Sequence, residues 1–444
     1  MKKIVALLLV ALMAIGAVAC AKPAEPAAPA KEETAAAAPA AAAPAAEPAA
    51  APATGMEADT VASITTDVGL VVFDDSEYAN MSMDELYEIA KTETASPMVV
   101  YSETSSATKV LDSFNAAYPG LNIEATKVKS TEITEKVPLE ADSGNPYYDL
   151  IITSDPSGSI YKEWYSKGYV VAYFPDCLKG DMKEAYTGFG LPLTLEADVW
   201  WYNTKQFPDA SPVSNIWDIV ELDENGNSKF CLVTHPISNM NTNGQFCNYI
   251  NNADQMAAAY KEKYGTDIEY TYDADELGVE PNNAGYEWVY RYIQCERVLI
   301  NSADECLAAV NAATDRPTLC MTSSLKLGDC IEAGMDVNWI GLSSPFNGFV
   351  RSKYIYVNPV GDNPATARLY AMYILGGEDG QGDGYTFFVD RKGCYGTRNS
   401  FDDLKYNDVN IEELNVYANN LDFVYDNYLF VQDFVSYYAD VLKK

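Results

Sequence analysis

Met98-Val99-Val100-Tyr101 runs into Ser102-Glu103-Thr104-Ser105-Ser106, and the next apolar stripe falls at Val110, Leu111, Phe114 and Ala117 before Tyr118-Pro119-Gly120. Leu121 to Val128 then alternates apolar and polar. A short apolar run, a stripe at helical spacing, a Pro-Gly stop and an alternating run predict strand, helix, strand. The rhythm continues. Residues 130–141 predict a helix that Pro138 must kink or end. Leu150-Ile151-Ile152 predicts a strand ending at Thr153-Ser154-Asp155-Pro156, and 159–167 an amphipathic helix closed by Gly168. Strands alternating with helices imply an α/β fold with mostly parallel sheets covered on both faces. Ligands on such sheets bind beyond the carboxyl ends of the strands. That rule singles out Ser102–Ser106 and Thr153–Asp155.

Upstream, Ser82-Met83-Asp84-Glu85 has the form of a capping box, with Leu86, Ile89 and Ala90 at helical spacing behind it. Downstream, Leu193 to Asn203 predicts a long strand, followed by Pro208, Pro212 and a turn-rich stretch from Asp223 to Ser228. A second α/β stretch spans 229–340, in which Thr318–Met321 predicts a short strand ending in Thr322-Ser323-Ser324. Strand and helix return at Tyr354–Val357 and Asn363–Leu375. The end, 411–442, is helical in pattern and rich in Tyr and Phe. No internal repeat is present.

Composition narrows the function. The 444 residues suffice for two or three compact units. Lys and Arg number 30 against 64 Asp and Glu, a net charge of −34. Nucleic-acid binding, which needs clustered cations to displace phosphate counterions, is therefore not expected. A single histidine, His235, excludes a His-rich metal centre and leaves little from which to build a Ser–His–acid enzyme. No Walker loop, His-Glu-x-x-His or Gly-x-Ser-x-Gly motif occurs. The chain is read as a binding protein without catalytic residues, metal or cofactor. His235 itself is read as a structural or turn residue.

Residues 1–19 have a basic start, an apolar stretch and small residues before Cys20, the layout of an export signal. Ala17-Val18-Ala19-Cys20 resembles the bacterial lipobox, which implies that Cys20 is lipidated and that the membrane is reached through that lipid. From Ala21 to Thr54, 26 of 34 residues are Ala or Pro. Nothing there can build a core, so 20–55 is read as a tether with a reach on the order of 100 Å. Eight cysteines follow Cys20: Cys177, Cys231, Cys247, Cys295, Cys306, Cys320, Cys330 and Cys394. Their even number suits disulfides in an exported protein, and buried free thiols suit them equally.

Several segments resemble, in order, the solute-binding proteins of bacterial ABC importers, and within them the iron(III), thiamine, polyamine and phosphonate binders. They are Leu86–Glu93 with Val99–Ser102, Phe114–Gly120, Tyr148–Ile151, Trp201–Lys205, Trp217–Val220, Asn363–Ala367 and Glu378–Gln381. The resemblance implies a two-lobed type II periplasmic-binding-protein fold with a hinge between the lobes. Lobe 1 is expected at 56–200 and 345–444, and lobe 2 at 204–340. It implies a monomer that captures a small-molecule solute and delivers it to an ABC permease and its ATPase. The place implied is the cell envelope: the outer face of the cytoplasmic membrane or the periplasm. A sensor or chemotaxis adaptor with the same fold is the alternative.

The expected ligand contacts are Ser102, Thr104, Ser105 and Ser106 before a helix, Thr153, Ser154 and Asp155 at a strand end, and Thr322, Ser323 and Ser324 from the second lobe. Hydroxyls and free N–H groups at such positions suit a small polar or anionic solute. Trp200 is expected as an aromatic wall and Asn203 as a contact near the hinge. Iron(III) binders commonly present adjacent tyrosines from the second lobe, whereas the adjacent pairs here, Tyr147-Tyr148 and Tyr437-Tyr438, fall outside its expected range. A polyamine would call on Glu103, Asp155, Glu196 and Asp198, some of which alternation is expected to send to solvent.

Overall fold

The computed structural model describes residues 71–442 apart from Asp75 and Thr94. The chain divides into two units, Met1–Ala58 and Asp59–Lys444, and every described residue lies in the second. The export signal, Cys20 and the Ala/Pro-rich stretch fall outside the described residues.

The predicted strand–helix–strand opening is present. Strands β1 (Met98–Ser102), β2 (Ile123–Lys127) and β3 (Leu150–Thr153) form a parallel wing in the order β2-β1-β3. Alternation covers it on both sides. Met98, Val100, Leu150 and Ile152 enter one core, while Val99, Tyr101 and Ile151 enter another. The helix Met83–Ala90 starts with the expected capping box: Ser82 accepts from the Glu85 N–H, and Glu85 accepts from the Ser82 N–H.

Next comes β4 (Leu191–Asn203), buried along its whole length. After it, β5 (Cys231–Thr234), β6 (Arg297–Leu299) and β7 (Thr318–Ser323) form a second parallel wing in the order β7-β5-β6. The short β8 (Val337–Trp339) pairs with β4. Strand β9 (Gly348–Val357) lies between β3 and β4 and is antiparallel to both, and β4 is antiparallel to β7. One hydrogen-bonded path thus runs β2-β1-β3-β9-β4-β7-β5-β6. The wings are parallel as expected; the two long strands that join them are not.

Three local expectations need correcting. The helix Ser130–Asp142 does not end at Pro138 but runs through it, losing one backbone donor. Residues 159–167 hold only the single π-turn Ile160–Trp164. The C-terminal helix Leu421–Val441, expected in lobe 1, packs instead on Met240–Asn251 and Ala284–Gln294 beside the second wing. Its stripe of Val424, Val431, Phe434, Val435 and Tyr438 belongs to that wing's core, with the Phe434 and Tyr286 rings 4.9 Å apart. Burial of these residues overrides their place in the chain.

Cys177, Cys231, Cys247, Cys306, Cys320, Cys330 and Cys394 are free thiols. Among the described residues no helix is long and apolar enough to cross a membrane.

Candidate functional site

Strands β1, β2, β5 and β7 all point their carboxyl ends at one cleft of about 510 Å³. The first wing supplies Glu103, Thr104 and Ser105 after β1, and Lys127 and Lys129 at the end of β2. The second supplies Thr322 and Ser323 from β7 and His235 after β5. Asn239, Asn241, Thr242 and Gln245 come from the first turns of the helix Met240–Asn251. Alternation on the two long strands completes the floor. Glu196 and Asp198 share one face of β4, and Arg351 and Lys353 share the matching face of β9.

These floor charges form one ladder. Lys353 Nζ lies 2.5 Å from Glu196 and 3.2 Å from Glu103. Arg351 Nη2 lies 3.0 Å from Glu196 and 3.4 Å from Asp198. Ser323 donates to Glu196 at 2.5 Å, and Gln245 Nε2 donates to Asp198 at 3.1 Å. Burial works against the charge on Glu196, yet Arg351, Lys353 and two hydrogen bonds hold its pKa at about 2. Burial also opposes ionisation of Glu103, and again Lys353 and Arg351 win, so its pKa is lowered. Asp198 goes the other way. Burial raises its pKa, Glu196 adds to the rise, and Arg351 only partly offsets it.

The balance of charge in the cleft differs from that of the chain. Six Lys or Arg side chains and four carboxylates line it, whereas the whole chain carries −34. Among the described residues Lys127, Lys129 and Arg391 form no ion pair. Three buried polar atoms on the cleft residues also lack any partner: Gln245 Oε1, Asn241 Oδ1 and Arg351 Nε. Buried polar atoms are ordinarily hydrogen-bonded, so such a group marks a place where something else binds.

Of the expected contacts, Thr104, Ser105, Thr322 and Ser323 line the cleft. The others serve the frame. Ser102 Oγ donates to the Thr104 carbonyl and accepts from its N–H, closing the turn after β1. Ser106 is buried at the start of a short helix, its N–H on Thr104 Oγ1. Thr153 and Ser154 hold Glu103 in place through two hydroxyls and the Ser154 N–H. Asp155 accepts from the Tyr161 N–H and borders a separate cavity of about 20 Å³. Ser324 accepts from the Ala197 N–H and donates to the Gly393 carbonyl, fastening β4 to the turn before Cys394.

Trp200 and Asn203 are corrections of a plainer kind. Trp200 shares a face with Glu196 and Asp198, but beyond Asp198 that face is covered by helices. Its Nε1 donates to Tyr249 Oη inside the second wing's core. Asn203 is spent on backbone, donating to Val310, Asn311 and Ala313 carbonyls and accepting from the Lys205 N–H. Glu196 and Asp198 are buried on the floor and Glu103 is half-buried beside them, so none of the three is sent to solvent. His235 Nδ1 donates to the Ile300 carbonyl while the residue lines the cleft.

Arg351, Lys353, Gln245 and Asn241 were missed in the sequence. A signal for the first two exists: cations two apart, Arg351-Ser352-Lys353, in an otherwise apolar strand, matched by Glu196-Ala197-Asp198 in another.

No family model matches the chain, and no curated protein matches it. Solved structures do. Iron-bound HitA from Pseudomonas aeruginosa is 14% identical, covering 76% of this chain and 99% of its own, with a TM-score of 0.55. The substrate binding protein of an ABC transporter from Agrobacterium tumefaciens is 14% identical, covering 79% and 96%, with a TM-score of 0.54. The PBP MotA from A. tumefaciens B6, in complex with glucopine, is 11% identical, covering 77% and 99%, with a TM-score of 0.53. The chain has the two-lobed, type II periplasmic-binding-protein fold.

Proposed function

We propose that this chain is the solute-binding component of an ABC importer. It captures a small polar or anionic solute between its lobes and hands it to the permease, whose ATPase drives uptake. The observation that carries this reading is the cleft at the strand ends, richer in cations than the chain as a whole and holding unpartnered buried donors and acceptors. The likeness to binding proteins with the same fold supports it. Binding, rather than catalysis, also suits the one histidine, whose Nδ1 is committed to a backbone carbonyl.

Two long strands join the lobes, so a solute that engages both walls favours the closed arrangement over the open one. Among the hydroxyl residues of the cleft, Thr104 and Ser105 stand on one wall and Thr322 and Ser323 on the other, as such closure requires. Ferric ion, the ligand named for HitA, is a weaker candidate here. Tyr148 donates to the Tyr169 carbonyl, Tyr438 Oη accepts from the Asp273 N–H, and no tyrosine is among the described residues that line the cleft.

The protein works as a monomer held at the envelope through a lipid on Cys20. Native mass spectrometry of protein purified without refolding tests the central reading. One small-molecule adduct, lost on denaturation, is expected. Turnover of a bound compound, or protein that carries no adduct and shows no ligand-induced shift with any solute in a broad panel, refutes it.

A further inference from the structure

Resting on the solute-binding reading, we propose that the cleft takes an amphoteric solute, with a protonated amine lodged against Asp198, Gln245 and Asn241 and an anionic group against Lys127 and Lys129.

The floor is the first ground. It holds three carboxylates, Glu103, Glu196 and Asp198, against two cations, Arg351 and Lys353. The deficit is not shared equally. Glu196 has both cations and a serine hydroxyl, and Glu103 has Lys353 and three donors from Thr153 and Ser154. Asp198 has only the long Arg351 contact at 3.4 Å and the Gln245 amide. It is 5% exposed.

Gln245 is the second ground and is independent of charge counting. The residue is 3% exposed and lines the cleft. Its nitrogen donates to Asp198, which fixes the carbonyl oxygen as the atom left over, and that oxygen has no partner. Asn241 Oδ1, one helical turn earlier, is likewise unpartnered. An open acceptor fixed beside an under-compensated carboxylate, with a second amide one turn away free to turn its oxygen inward, calls for a cation with several donors, and an ammonium carries three.

The opposite wall asks for the reverse. Lys127 and Lys129 form no ion pair among the described residues. They stand with Ser105 and Thr131 at the first turn of the 13-residue helix Ser130–Asp142, whose free N–H groups add positive potential. A diamine would meet these lysines, and a diacid would leave Gln245, Asn241 and Asp198 facing an acceptor. The diamine sets like charges against each other, and the diacid strands buried polar groups, the strongest basis for rejecting a near analogue.

The test uses the full chain, freed of co-purified solute, and calorimetric titration with ω-amino carboxylates from glycine to 6-aminohexanoate. Diacids and diamines of matched length are the controls. At least one amino acid is expected to bind tenfold or more tightly than its matched diacid and diamine. Gln245→Leu, which leaves the ion ladder intact, and the surface pair Lys127→Ala/Lys129→Ala should each weaken that amino acid fivefold or more. Asp198→Asn should do so more strongly if it folds by circular dichroism. A diacid, diamine or neutral sugar that binds as tightly overturns the inference, as does a series in which nothing binds. The adduct seen by native mass spectrometry keeps the two failures apart. A non-amphoteric adduct sinks this inference and spares the solute-binding reading, whereas no adduct and no shift sinks both.

Discussion

Lys353 is the residue on which the cleft floor turns, because it compensates Glu196 and Glu103 at once from a buried position. Removing one partner of a buried ion pair leaves an uncompensated charge, at a cost of about 3–5 kcal/mol. Lys353→Met is therefore expected to lower the urea unfolding free energy by that amount, and a loss below about 1 kcal/mol would contradict the ladder. Asp155 gives a different signature. Burial pushes its pKa up to about 6, although backbone N–H groups from Tyr161, Ile160, Gly158 and Ser159 pull it down. An acid whose folded pKa lies above its unfolded value stabilises the fold below the unfolded pKa, near 4. That contribution is lost as pH rises through 6. Relative to Asp155→Asn, the parent should therefore lose about 1–3 kcal/mol between pH 4 and pH 7. Urea titrations of both proteins at the two pH values read this directly, and a constant gap would rule it out.

At the scale of elements, the C-terminal helix closes the second lobe from the far end of the chain. Phe434 is fully buried against Tyr286, Tyr272 and Tyr438, so Phe434→Ala should cost about 3–5 kcal/mol in the same assay. A change under 1 kcal/mol would mean that the helix is not part of that core. This helix also shows where sequence reading stops. Its periodicity was readable, because an apolar stripe depends only on local spacing. Its destination was not, because nothing local says which of two lobes will bury the stripe. Trp200 teaches the same lesson within one strand. Alternation places it correctly on the face of Glu196 and Asp198, but whether that face opens on a cleft or lies under helices depends on segments some 50 to 90 residues later. Thr104, Ser105, Thr322 and Ser323 were readable, since the strand-end rule needs only the order of elements. Gln245 and Asn241 were not, because a helix start becomes a cleft wall only through tertiary packing.

For the whole molecule, closure of the lobes over a solute should compact the particle. Small-angle scattering is expected to show a smaller radius of gyration with bound solute than without it, and an unchanged curve would mean that the cleft binds without closing. Attachment is testable apart from binding: Cys20→Ala should move the protein from the membrane fraction to the soluble one. The ladder across β4 and β9 also bears on descent. Glu196 sits directly opposite Arg351 in the strand register, and Asp198 has no nearer cation. Loss of Glu196 or Lys353 alone would leave a buried charge uncompensated, so diverging lineages should change those two positions together, whereas Asp198, the least compensated, can turn neutral by itself. A genome in which 198 has turned neutral while 351 keeps its arginine would record a change of diet.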